Sequence, residues 1–324
     1  MQPGDWGYVI GRVHTGGNIL ADCPPSADPG QPPYCDVYWV VVGDGVSDLS
    51  ENELEVWYSP GDRFAVQLKP PNSDQWTALL EPRQFIENQE LEGGIFASIY
   101  NELYNPANGH NTISVYLSPL FSPQGVVGVR GGTWTVRLVA RDVRDGRYDA
   151  WIERDDPRRL GKTGLREAWS FPSFFAERYN VDNSSVNSLA CGNLVISVAN
   201  LDPAAGRIHH TSSQGPTRDG RPKPEIAAPG VGILAACGFT PGKRWLGMTD
   251  TSMASPYVAG VIGRMLALDP QLTAAQIGGI LRRTATPLPG GDYHWRDDAG
   301  FGAINPAACL AEVRRLRQRE DRTP

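Results

Sequence analysis

The segment Thr251-Ser252-Met253-Ala254-Ser255-Pro256-Tyr257-Val258-Ala259-Gly260 opens a run, Ser252 to Leu268, that is apolar or small nearly all round. That pattern predicts a buried helix. A serine in the first turn of such a helix sits where unpaired backbone N–H groups and the helix dipole face incoming negative charge. An oxyanion formed by attack of Ser252 on a carbonyl would be held there. Ser and Thr are equally common as plain helix caps, so these residues taken alone leave both roles open. Ala254 and Ala259 are small enough to let the helix pack closely.

Around this segment the grammar is α/β. Leu194 to Ala199 is a continuous apolar run, predicting a strand buried on both faces of a parallel sheet. Ile226 to Ala236 gives two short apolar segments about Pro229-Gly230, and Thr273-Ala274-Ala275-Gln276 is a capping box opening a helix that ends near Ala285, before Pro287. Upstream the pattern is β. Val37–Val42 runs into the turn Gly43-Asp44-Gly45, and Glu53–Tyr58, Phe64–Leu68, Ile95–Tyr100, Thr112–Leu117 and Trp134–Val139 read as further strands. Asp145-Gly146 predicts a hairpin turn into Tyr148–Ile152. Many short strands with frequent turns predict an antiparallel sandwich. The domain reading is loop over 1–33, with one short strand at Tyr8–Val13, a β-sandwich over 34–157 closed by the charged run Glu153–Arg159, and an α/β region over 158–324.

Composition agrees. A length of 324 residues predicts about two domains, and 36 Gly with 27 Pro favour turn-rich structure over a helical bundle. A net charge of −6 gives no global attraction for nucleic acid or an anionic membrane, and no apolar run approaches the roughly 20 residues of a membrane span. No signal peptide is legible, which makes the cytoplasm the default compartment. The five cysteines include no CxxC pair, so a zinc site is not expected. Cys23 and Cys35 lie in a Pro-rich stretch and would pair if the chain is exported.

The segment around Ser252 closely resembles the nucleophile motif of the subtilisin-like serine peptidases, G-T-S-M-A-[ST]-P-H-V-A-G. Ser212-Ser213-Gln214-Gly215-Pro216-Thr217-Arg218-Asp219-Gly220 with Lys223-Pro224-Glu225-Ile226-Ala227-Ala228-Pro229-Gly230 is similar to the subtilase segment that precedes it. Gly300-Phe301-Gly302-Ala303-Ile304-Asn305 is similar to the closing motif. The β-rich region resembles the jelly-roll insertion that some subtilases carry. The resemblance implies the C-terminal half of a subtilisin-like parallel-sheet domain with an antiparallel jelly-roll insertion, residues 1–33 being a remnant of the upstream core. It implies a serine endopeptidase that hydrolyses peptide bonds through an acyl-enzyme on Ser252, whose own N–H is half of the oxyanion hole.

The D-[ST]-G, H-G-T-x-V-A-G and A-G-N motifs of the family, which supply the catalytic Asp and His and the oxyanion Asn, are not found in this sequence. Asp44 and His110 keep the order Asp, His, Ser with Ser252, but neither has the family context, and solvated turn residues are the simpler reading. His14, followed by Thr15-Gly16-Gly17, lacks the V-A-G continuation of the family histidine, and the pair His209 and His210, and His294, read as ordinary surface histidines. Asp250 replaces the family Gly two residues before the nucleophile, and Tyr257 replaces a His at a packing position. The chain alone is therefore expected to be inactive, with no organic cofactor, structural calcium by family analogy only, a peptide or protein substrate, and a missing N-terminal subtilase half as partner. The alternative is a non-catalytic binding protein, for which aromatics grouped on one sheet face, Trp57, Tyr58, Trp134 and Trp151 first, would speak.

Overall fold

Alternation along Asn52–Tyr58 and Ile95–Glu102 buries every second side chain, as a pleated strand with one face on a core requires. The computed structural model describes residues 13–23, 30–152, 158–163, 166–176, 183–238 and 241–320. The chain forms two compact units, Met1–Asp182 and Asn183–Pro324.

The first unit is built on β1 (His14–Asn18), β2 (Tyr34–Val41), β3 (Asn52–Tyr58), β4 (Arg63–Lys69), β5 (Phe85–Leu91), β6 (Ile95–Glu102), β7 (Asn111–Ser118), β8 (Gly132–Asp142), β9 (Arg147–Ile152) and β10 (Phe174–Phe175). Two antiparallel sheets result, in the orders β1-β9-β3-β7-β6-β5 and β10-β2-β8-β4. Trp39 of β2 and Trp134 of β8 share one apolar core with Leu54 of β3, Ile99 of β6 and Val115 of β7. This is the expected antiparallel sandwich.

Its limits differ from those expected. Residues 14–18, assigned to a loop remnant, pair with Arg147–Trp151 at the rim of the six-stranded sheet. The end near 157 is too early, because Phe174 and Phe175 pair with Val40 and Trp39. Backbone pairing sets both limits, and composition does not register it. The strand expected at Tyr8–Val13 lies outside the described residues except for Val13. So does the charged run from Glu153 to Pro157, beyond which Arg158–Thr163 pairs with Arg166–Ser170 as a hairpin. Cys23 and Cys35 form a disulfide with Cα atoms 5.4 Å apart, tying the loop after β1 to β2.

The turn between β8 and β9 carries Asp145-Gly146 as read from the sequence, with Gly146 at φ 77°. A distant carboxylate holds it. Asp62 is fully buried and accepts the N–H groups of Arg144, Asp145 and Gly146 at 2.7, 3.1 and 2.9 Å. Asp62→Ala leaves these donors without an acceptor and is expected to lower the unfolding free energy by about 3 kcal/mol. Urea denaturation measures it, and Asp62→Asn, which keeps an acceptor oxygen, should lose less.

The second unit contains β11 (Val198–Asp202), β12 (Arg207–Ile208), β13 (Ile226–Pro229), β14 (Ile233–Ala236), β15 (Trp245–Met248), α1 (Thr251–Leu268), α2 (Ala274–Thr284) and α3 (Pro306–Glu320). The expected parallel sheet is reduced, among the described residues, to one parallel pair, β11 with β13, flanked by antiparallel β12. The expected strand at 194–199 begins only at Val198. Leu194 is 71% exposed, and the Val195 carbonyl is taken by the Lys223 ammonium rather than by a ladder partner. The helix from Ser252 is present, but only Ala254, Val258, Val261 and Met265 are buried. A helix buried all round needs cover on both sides, and the described residues supply it along one stripe. α2 opens with the expected Thr273/Gln276 capping box. α3 was not read from the sequence. Its signal was Asn305-Pro306, where the Asn305 side chain accepts the Ala308 N–H at 3.0 Å ahead of a first-turn proline.

An ion pair lies under this unit. Lys223 and Glu225 are each 3% exposed, with Nζ 2.5 Å from Oε1. The Ser197 N–H donates to Glu225 Oε2 at 2.8 Å. Lys223→Met removes the buried partner of Glu225, leaving it the Ser197 N–H and the Arg282 guanidinium 3.5 Å from Oε1, and is expected to cost about 3 kcal/mol. The double variant Lys223→Met/Glu225→Leu should recover much of that in the same denaturation measurement.

Candidate active site

Ser252 reaches its position through a short chain of contacts. β13 ends at Pro229, and Gly230 donates its N–H to Leu201 O of β11 at 3.2 Å while accepting the Asp250 N–H at 3.0 Å. No side chain fits at Gly230. A Cβ there would lie 2.4 Å from Asn200 Oδ1 and 2.6 Å from Asp250 O. The strand end and the helix start are thus pressed together, and Ala254 beneath them is fully buried.

Asp250 is the N-cap of α1. Its backbone is extended, at φ −175° and ψ 172°, and its Oδ1 accepts the Thr251 N–H at 2.6 Å and the Thr251 hydroxyl at 3.3 Å. The Met253 N–H donates to Asp250 O at 3.0 Å. Ser252 follows, exposed, and its N–H and hydroxyl make no hydrogen bond among the described residues. An exposed hydroxyl and an unbonded backbone N–H are therefore presented together at a helix N-terminus. The Asp250 carboxylate stabilises the helix but would oppose negative charge placed beside Ser252, two residues on.

No histidine hydrogen-bonds Ser252 among the described residues. His209 and His210 stack with ring centroids 4.1 Å apart, and His209 Nδ1 lies 3.0 Å from Thr211 Oγ1. Burial, then the charges of His209 and Arg207, pushes the His210 pKa down. His294 lies in an exposed loop with Nδ1 2.7 Å from Asp292 Oδ2. In the other unit, Asp44 closes its own turn by accepting the Val46 and Ser47 N–H groups at 2.9 and 2.8 Å, and His110 Nδ1 lies 3.3 Å from Tyr58 O. These are turn roles, and the structure does not bring the two side chains into contact. His14 is buried on β1, its Nε2 3.3 Å from Asp149 Oδ1.

Sequence reading missed Asn200. It is fully buried, its Nδ2 donates to Thr211 Oγ1 at 3.4 Å, and its Oδ1, pressed against Gly230, has no partner among the described residues. The only signal was a polar residue immediately after an apolar run. Among the named aromatics, Tyr58 and Trp134 are core residues and Trp57 and Trp151 are half-buried. An open cavity of about 500 Å³ in the second unit is lined by Arg283, Tyr293, Asn305, Glu312 and Arg315 and does not include Ser252. Among the described residues no three His, Cys, Asp or Glu side chains are placed to hold a metal ion, so the residues present do not fit a carboxylate-based calcium site. No helix among them is long and apolar enough to cross a membrane.

Asp250→Ala removes the N-cap acceptor and is expected to cost about 1 kcal/mol of stability, whereas Asp250→Gly should cost only a few tenths. Thermal denaturation of the two variants side by side distinguishes a capping role from a merely tolerated residue.

A sequence model described as the Subtilase family matches residues 178–302. Serine protease AprX of Bacillus subtilis is 30% identical over 183 residues, covering 49% of this chain and 39% of that protein. Subtilisin DY of Bacillus licheniformis is 36% identical over 85 residues, 26% of this chain and 28% of that protein. Among solved structures, the CspB protease of Clostridium perfringens superimposes with a TM-score of 0.69 at 19% identity, over 94% of this chain and 57% of that one. That likeness concerns the fold. The chain spans less than two thirds of the length of each of these proteins.

Proposed function

We propose, from the match of residues 178–302 to the Subtilase family model, that Ser252 is the nucleophile of a subtilisin-like serine endopeptidase site whose base is supplied by the N-terminal half of a subtilase domain. The observation that carries this reading is the exposed Ser252 with its unbonded N–H in the first turn of α1. In such a site Oγ attacks the scissile carbonyl carbon, the carbonyl electron pair moves onto oxygen, and the Ser252 N–H donates to it. A histidine takes the Oγ proton and passes it to the leaving amine, and water then cleaves the acyl ester. Triad members act as a unit, and loss of the base removes most of the rate enhancement. The chain by itself is accordingly a poor catalyst in this reading.

The sandwich, with its likeness in fold to CspB, supports the reading of the first unit as a jelly-roll-type insertion. The Cys23–Cys35 disulfide supports an oxidising compartment over the cytoplasmic default, since such bonds are rare in the reducing cytosol.

A fluorophosphonate probe tests the assignment. The chain alone should not be labelled at Ser252. Labelling is expected when a subtilase N-terminal half bearing the D-[ST]-G, H-G-T and A-G-N motifs is supplied, and it should vanish in Ser252→Ala. Strong Ser252-dependent labelling of the chain alone would show that a base is already present. No labelling even with the supplied half would overturn the nucleophile assignment.

A further inference from the structure

The outer face of the six-stranded sheet is unlike the rest of the sandwich surface. Side chains directly opposite in an antiparallel pair lie on one face, and the register sets Glu53 against Tyr116, Glu55 against Ser114, Tyr100 against Ser114, and Phe85 against Tyr100. The rings form a continuous stripe. Phe85 stacks on Tyr100 with centroids 6.0 Å apart, and Tyr100 meets Tyr116 edge-on at 5.9 Å. Carboxylates line the stripe. Glu87 accepts the Tyr100 hydroxyl at 2.8 Å and Glu55 accepts Trp57 Nε1–H at 2.9 Å. Phe85, at the end of the stripe, is 61% exposed.

The charge is one-sided. β3, β5, β6 and β7 carry Glu53, Glu55, Glu87, Glu90 and Glu102 and contain no Lys, Arg or His. On the neighbouring strand β9, Arg147 lies 3.5 Å from Asp149. The tyrosines register this field. Tyr116 is pushed up to about 12, by burial first and then by Glu53, and Tyr100 is raised chiefly by its bond to Glu87. No glutamate stands directly opposite another, Glu53, Glu55, Glu90 and Glu102 each facing an uncharged partner across the pairing, so the sheet carries this charge without like charges set opposite one another.

We propose that this face is a docking surface for a basic peptide segment, whose Lys or Arg side chains lie over the Phe85–Tyr100–Tyr116 stripe and pair with Glu53, Glu55 and Glu87. Ring faces bordered by carboxylates suit an ammonium or guanidinium group, which gains a cation–π contact and an ion pair at once. From Phe85 to Glu53 the face crosses four strands, about 15 Å, the span of about four residues of extended chain, so a segment fits it better than a single cation. This surface does not depend on the chemistry at Ser252.

Fluorescence anisotropy of the full chain with a short labelled Lys/Arg-rich peptide, against a Ser/Gly peptide of equal length, tests the proposal. The basic peptide should bind, weaken as salt is raised, and bind Ser252→Ala as tightly as the unaltered chain. Glu53→Gln/Glu55→Gln/Glu87→Gln should lose about tenfold or more in affinity, while Asp74→Asn/Asp142→Asn, which removes as exposed a pair of charges from elsewhere on the sandwich, should change little. If the triple variant melts early, Phe85→Ala/Glu90→Gln on the edge strand gives the same reading with a smaller loss, about threefold. No binding of the basic peptide, or equal loss in both sets of variants, overturns the proposal. Binding of a neutral oligosaccharide that the Glu→Gln changes leave intact also overturns it, and would make the stripe a sugar-stacking platform instead.

Discussion

Everything at the serine depends on a close approach of two backbones at Gly230. The residue donates to Leu201 O and accepts from Asp250 N–H, so it joins the end of a strand pair to the start of a helix with no side chain between them. Any Cβ at that point would fall within 2.4 to 2.6 Å of two oxygen atoms, well inside contact distance. The closing segment stiffens the same strand from its other side. Phe301 N–H donates to Glu225 O, Ala227 N–H to Gly302 O and Ile304 N–H to Ala227 O. Gly300, at φ 64°, lets that segment run against the start of β13 where a side chain would strike Glu225 and Ile226, and Gly302, at φ 117°, does the same against Thr286 and Pro287. Three sequence motifs far apart in the chain are thus one hydrogen-bonded layer.

Within that layer the start of α1 balances two demands. A bare helix N-terminus attracts negative charge, which is what an oxyanion requires. Asp250 places a carboxylate on the first of those N–H groups, gaining the stability of a cap and spending part of the potential that the reaction would draw on. The Oδ1 of Asn200 lies under the same contact, a buried acceptor whose desolvation no partner among the described residues offsets. Both features belong to the neighbourhood of Ser252 and bear on how strongly it can hold a developing charge.

The sandwich shows the same tension between stability and surface chemistry in another form. Its interior is apolar and continuous, and buried carboxylates such as Asp62 are fully engaged by backbone donors. Its outer face keeps several glutamates beside aromatic rings that donate hydrogen bonds to them. Stability is drawn from the core and the turns, and the face is left free to carry charge of one sign.

Local pattern was enough for much of this protein. Alternation in Glu53–Tyr58 and Thr112–Leu117 fixed strands because burial on one face imposes a period of two, and Thr273 with Gln276 fixed the start of α2 because a capping box is complete within four residues. The motif around Ser252 likewise pointed to a helix start and to a family. What sequence could not carry was everything that depends on a partner distant in the chain. Whether 14–18 is loop or strand depends on Arg147–Trp151. Whether Leu194 is buried depends on which group takes the Val195 carbonyl, and whether α1 is covered on one side or all round depends on what packs against it. The outer-face stripe was hidden for the same reason. Phe85, Tyr100 and Tyr116 lie on three strands, and only the register of backbone hydrogen bonds brings them into line.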